Sequence, residues 1–235
     1  MTFKSRKGFS LVELLIASLI FGFMTVTMVA INAAINKQMF HNYRANAFKS
    51  DASIAMKDLT NRLQEANRID QPALNSSGAI LAFAVNVDQM SGCYPINAAE
   101  ASRWHYFCHS GLVTPDCPSG SCIYHHTGPI NGGGGCPNGP FWDAASYPVT
   151  SCGTDGGGTV TLLASYIFPS SPAPELFSRR VADGITASNL VKIKLRVRCD
   201  PATDVNAAAR KDRVIDTTLD TTVRLNRAGL PGQGF

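Results

Sequence analysis

The chain has 235 residues, of which 45% are hydrophobic and 16% charged, and its formal net charge is +4. That length supports one globular domain on an appended segment rather than two full domains. A charge so small excludes a global electrostatic pull on nucleic acid, so any such binding has to be local.

In chain order, Lys4, Arg6 and Lys7 form a basic start that ends at Gly8. An apolar helix is predicted from Phe9, with a single acid, Glu13, inside it. From Leu14 to Asn36 no residue is charged. At a rise of about 1.5 Å per residue this run spans about 34 Å, enough to cross a bilayer core. A carboxylate there costs on the order of 2.5–3.5 kcal/mol in lipid, so it needs a partner. A secretory signal would explain the basic start, and Ala30 to Ala34 could pose as its cleavage region, but its apolar stretch is shorter and an acid inside it weakens translocation. A plain single-span anchor explains the length but neither Gly8-Phe9 nor Glu13. The basic residues orient the span with its N-terminus in the cytoplasm and the bulk of the chain outside.

The run Lys7-Gly8-Phe9-Ser10-Leu11-Val12-Glu13 closely resembles the type IV prepilin class, which comprises pilins, minor pilins and the pseudopilins of type II secretion. The likeness covers about thirty residues. It implies that residues 1–8 are a leader, cut between Gly8 and Phe9 by a membrane-embedded prepilin peptidase that also methylates the new amine of Phe9. It implies a transmembrane or filament-core helix over 9–36, with Glu13 of one subunit neutralising the Phe9 amine of the next. Loss of Lys4, Arg6 and Lys7 with the leader brings the side-chain charge to about +1.

Residues 37–71 read as an amphipathic continuation of the helix. Phe40, Tyr43, Ala47, Ile54, Leu59, Leu63 and Ala66 mark its buried face, and no proline occurs before Pro72. The remainder, 72–235, reads as an α+β head. Its strands are Ala79 to Val87, Thr159 to Phe168, a strictly alternating Val191 to Cys199, and a last strand from about Arg213 to Arg227. In that last strand Ile215, Leu219, Val223 and Leu225 oppose Asp216, Asp220 and Arg224. Asp200 to Asp212 join the final two strands into an antiparallel hairpin with its apolar side on the helix. The expected fold class is therefore α+β and pilin-like: a long N-terminal helix packed on an antiparallel sheet, with a disulfide-rich loop insertion over about 88–158.

That insertion holds Cys93, Cys108, Cys117, Cys122, Cys136 and Cys152. Behind an export signal these read as disulfides formed in an oxidising periplasm. Their spacing does not choose among the fifteen possible pairings. Cys199 is the odd one, either a buried thiol or a tie to the C-terminal sheet. Gly132 to Gly135 lead into Cys136-Pro137 rather than into a helix with a lysine, so they read as a flexible loop and not a phosphate cradle.

Three constellations invite chemistry. Lys192, Lys194, Arg196 and Arg198 on alternate residues could track phosphates. Asp216 and Asp220 on the partner strand can neutralise them, and no aromatic residue interleaves to stack bases, which argues against nucleic acid. His105 and His109 flank Cys108, and His125-His126 follow Cys122, a zinc-like set. A strand, however, puts residues four apart about 13 Å from each other, so no metal is assigned. Trp104, Tyr106, Phe107, Tyr124, Phe141, Trp142 and Tyr147 read as fill for small disulfide-tied loops ahead of an adhesive surface. With no nucleophile elbow, zincin motif or acid pair, no enzyme activity, cofactor or small-molecule substrate is expected.

Major pilins usually carry a proline about twenty-two residues into the mature helix; Ala30 stands there, flanked by Val29 and Ile31. Gly22 remains as a weak point. The pattern Arg179-Arg180-Val181-Ala182-Asp183-Gly184-Ile185, then a basic alternating strand, then a Thr/Arg-rich last strand resembles PilW-like minor pilins and the J-type minor pseudopilin. The resemblance implies a minor pilin that primes or caps a pilus. The rival implications are a minor pseudopilin at the tip of a secretion pseudopilus and an adhesin or DNA-binding subunit. Its implied partners are other pilins or pseudopilins, the prepilin peptidase and an inner-membrane assembly platform. The implied location is the bacterial inner membrane, with the head in the periplasm, and then the pilus or pseudopilus.

Overall fold

The computed structural model describes residues 10–131, 135–137, 139–154, 158–169, 175–199 and 214–225. The leader, Gly8, Phe9, most of the glycine run and the connection between the last two strands lie outside them. The chain divides into two compact units, Met1–Asn46 and Ala47–Phe235.

Helix α1 (Leu11–Glu65) supplies all of the first unit's described structure except Ser10, and it is the first element of the second unit. It runs without a break through Gly22 and Ala30, as expected of a segment without proline. It stops earlier than its amphipathic pattern suggests, because residues 68–71 have a competing partner. Ala66 closes the last turn onto the Leu63 carbonyl at 3.2 Å, and the Asn67 N–H donates to Ala84 at 3.1 Å. Strand β1 (Arg68–Gln71) then pairs with β3 (Ile80–Val85), Ile69 opposite Phe83. The expected helix over 37–71 is thus corrected to end at Glu65: burying Ile69 in a sheet outweighs extending a frayed helix end.

Among the described residues, two antiparallel sheets follow. The first has the order β1-β3-β4-β5-β6, with β4 (Arg103–Ser110), β5 (Cys122–Pro129) and β6 (Thr159–Ser165). The second has the order β2-β7-β8-β9, with β2 (Ser77–Gly78), β7 (Phe177–Ser178), β8 (Leu190–Cys199) and β9 (Ile215–Arg224). Tyr166, at φ 63°, turns the chain from the first sheet to the second. Ile167 then bridges Val197, and the Phe168 N–H donates to Arg196 at 2.8 Å. The α+β class and the terminal antiparallel hairpin are as expected.

The head is a three-layer body. On one side of the first sheet Ala52, Ala55, Leu59 and Leu63 of α1 pack with Leu81, Phe83, Phe107 and Ile123, and the apolar face of β8 joins the same core. On the other side Trp104 and Ala84 pack against Tyr94, Ile130 and Trp142, which come from the connecting loops. Both faces of β3 are therefore covered, which is why its sequence is a continuous apolar run rather than an alternation. The segment 88–158, expected as a loop insertion, contributes the central strands β4 and β5 as well as the outer layer.

The helix face differs from the expected one. Ile54 is 64% exposed, and Phe40 and Tyr43 are also exposed, whereas Ala52 and Ala55 are buried. Small residues bring the helix axis close to the sheet, and Phe48, Met56, Leu59 and Leu63 fill the flanks.

Candidate functional site

At the start of α1, Ser10 and Glu13 satisfy each other. The Glu13 N–H donates to Ser10 Oγ at 3.2 Å, and the Ser10 N–H donates to a Glu13 carboxylate oxygen at 2.9 Å. This reciprocal capping box closes two donors that would otherwise be orphaned at the helix end. The Ser-x-x-Glu spacing signalled it in the sequence, but the reading there centred on Glu13 and missed Ser10. Beyond the cap, Leu14, Leu15, Phe21, Phe23, Met24 and their neighbours down to Ile35 are at least half exposed. Hydroxyls in this stretch are turned inward onto the helix. Ser18 donates to the Leu15 carbonyl, Thr25 to those of Phe21 and Gly22, and Thr27 to that of Met24. The segment therefore presents a largely apolar surface with its hydroxyl donors satisfied internally, which suits a lipid or a bundle of like helices. It is long and apolar enough to cross a membrane.

In the head, the cysteines pair as Cys93–Cys136, Cys108–Cys152 and Cys117–Cys122. Cys199 lies outside these pairs, its thiol buried at the end of β8. It does not tie the cysteine cluster to the C-terminal sheet. Trp104, Phe107, Tyr124 and Trp142 are buried, Tyr106 and Tyr147 half-buried, and only Phe141 of the aromatic set is exposed. Most of the set is core, as fill for the disulfide-tied loops.

The histidines are divided by the strand period. His105 and His125 point to the helix side, with His105 Nδ1 and His125 Nε2 2.9 Å apart and the rings stacked between Phe83 and Phe107. Burial, and then the nearby Arg62 and Arg103, depress His105 to about 4. Burial, and then His105 and Arg62, depress His125 to about 3. His109 pairs instead with Ser121 at 2.9 Å, so His105 and His109 share no site. His126 faces the loop side, where Gly153 N–H donates to its Nε2 at 3.1 Å.

One member of the basic row on β8 is paired in the way its partner strand suggests. Arg196 donates through Nε and Nη2 to the two oxygens of Asp216, at 2.9 and 2.5 Å. Those hydrogen bonds hold the Asp216 carboxyl below the usual range. Lys194 stands opposite Asp220, and Arg198 opposite Asp216. Asp216 and Asp220 thus stand across from the middle and end of the basic row. Arg179 is structural too. It is 4% exposed and donates to the carbonyls of Pro72 and Ser188, pinning the chain after β1 to the loop before β8. Arg180 bridges Glu175 and Asp183.

Among known proteins, the family described as "prokaryotic N-terminal methylation motif" matches residues 3–29. No curated protein and no solved structure matches the chain. The match covers the basic start, the Gly8-Phe9 junction, the Ser10–Glu13 cap and about the first two thirds of the apolar stretch. Residues 3–29 of this chain therefore carry a type IV prepilin-like N-terminal signal, in a chain whose apolar helix is long enough to cross a membrane and whose second unit is an α+β head.

Proposed function

We propose that this protein is a minor type IV pilin, a structural subunit that primes or caps filament assembly. The observation that carries the reading is the prepilin-type cap itself: one carboxylate, Glu13, at the head of an exposed apolar helix that has Ala30 where a major subunit would carry proline. In this reading the peptidase cuts between Gly8 and Phe9, and the Phe9 amine is methylated. The head lies in the periplasm, and helices of neighbouring subunits gather at the assembly platform. Glu13 then exchanges its local Ser10 contact for the charged amine of Phe9 in an adjacent subunit. A buried carboxylate is tolerated once each charge meets its opposite.

The test is to follow cleavage and filament incorporation separately. Glu13→Ala and Glu13→Val are expected to be cleaved normally yet to enter filaments poorly, while Gly8→Ala is expected to accumulate as precursor. Normal incorporation of both Glu13 variants would overturn the assembly role. Deleting the gene and scoring surface pili, twitching and protein secretion together distinguishes the pilus reading from a minor pseudopilin. Lost secretion with normal pili would transfer the protein to the secretion apparatus.

A further inference from the structure

The face of the first sheet turned away from α1 brings the Cys108–Cys152 disulfide beside the His126 imidazole. The strand period puts Tyr106 and Cys108 of β4 on that face, together with Tyr124 and His126 of β5. The register sets Tyr106 opposite His126 and Cys108 opposite Tyr124, so Cys108 and His126 are diagonal cross-strand neighbours. The loop before β6 then delivers Cys152. One imidazole nitrogen of His126 and the two sulfurs lie within 4.8 Å of one another. Cys108 and His126 are buried, and Cys152 is half-buried and gives access from solvent. The His126 ring is oriented by an edge-on contact with Tyr106, centroids 6.1 Å apart.

We propose that, when the Cys108–Cys152 disulfide is reduced, Cys108, Cys152 and His126 form a three-ligand site for a thiophilic divalent ion of the zinc class. Two thiolates and one imidazole with an open fourth position filled by water is a set that zinc accepts, and tetrahedral coordination needs the sulfurs only to part by side-chain rotation. Packing against Tyr106 and the cross-strand register fix the orientation of the imidazole. The oxidised and metal-bound states exclude each other, because the same two sulfurs serve both. Reduction by a phosphine adds two electrons and two protons to the disulfide, the phosphine leaving as its oxide and water supplying the oxygen and both protons. Metal binding then releases the two thiol protons. The bound ion would therefore hold the two sulfurs apart in the reduced chain.

The experiment uses the full chain in detergent, reduced with a phosphine and desalted under inert gas, with Co(II) as the probe. The expected result is one Co(II) per chain, with thiolate-to-metal charge-transfer bands and tetrahedral d–d bands, displaced by Zn(II). His126→Asn and Cys152→Ser should weaken binding by about tenfold or more. Cys117→Ser and Cys93→Ser should leave it unchanged. Absence of Co(II) uptake by the reduced chain, or equal uptake by His126→Asn, overturns the proposal. If the reduced chain loses its fold, Zn(II) must restore the native circular dichroism in the parent and fail to do so in His126→Asn. No restoration in the parent, or equal restoration in both, overturns it as well.

Discussion

Two histidines on neighbouring strands, His105 and His125, illustrate what single residues contribute here. Both are buried among phenylalanine rings on the helix side, with Arg62, Arg103 and Asp58 as the surrounding charges and His126 beside His125. A neutral pair can share one N–H···N bond, whereas a charge on either ring is desolvated and faces arginines. The folded-state values of about 4 and about 3 lie below the unfolded value of 6.5. The stabilisation is thus fully present above pH 6.5 and is lost as pH falls from there toward 4 and 3, because the unfolded chain takes up the protons first. Denaturant midpoints measured between pH 7 and pH 5, where most carboxylates stay ionised, should fall. The paired substitution His105→Phe with His125→Phe, which removes both partners at once, should flatten that slope. A slope unchanged in the double variant would place the pH dependence elsewhere. The pair was not legible in the sequence: residues twenty apart meet only because β4 and β5 adopt one register.

Among the elements, α1 shows how far periodicity reaches. The apolar stretch from Leu14 needed no tertiary information, since length and lack of charge alone specify a membrane-competent helix. Beyond residue 46 several apolar spacings compete, and the sheet selects the one in which Ala52 and Ala55 permit close approach. Leu59→Ala should cost about 2–5 kcal/mol, because Leu59 is fully buried against both sheets' core. Ile54→Ala, on the exposed flank, should change stability by no more than about 0.5 kcal/mol. Chemical denaturation of the two variants checks the assignment of the face, and equal losses would restore the pattern read from spacing. The early end of the helix has the same origin. Nothing local stops it at Glu65, but the partner strand β3 claims the residues that follow. Strands β8 and β9, by contrast, were readable almost residue by residue, since one face is buried and the other solvated, and that alternation is printed in the sequence.

For the whole molecule, the disulfides fasten a layer of loops over the back of the first sheet, where a small head lacks enough secondary structure to cover both faces. Cys93–Cys136 closes a separation of 43 residues and Cys117–Cys122 one of 5. By loop-closure entropy, removing the first should cost about 4 kcal/mol and the second about 2 kcal/mol. Paired Cys→Ser variants compared by denaturation midpoint test this order, and a larger loss for the short loop would show that native packing, not chain entropy, dominates. By itself the sequence determined the prepilin-like N-terminal motif, the apolar helix with its single acid, the α+β class and the final hairpin. Each of these follows from local properties: charge, length, the helical period or the strict alternation of a half-buried strand. Only the tertiary structure decided that β4 and β5 sit mid-sheet, that the aromatics are core, how six cysteines pair, and which histidine faces which layer. Those outcomes depend on contacts between residues tens of positions apart, and local spacing carries no record of the register that brings them together.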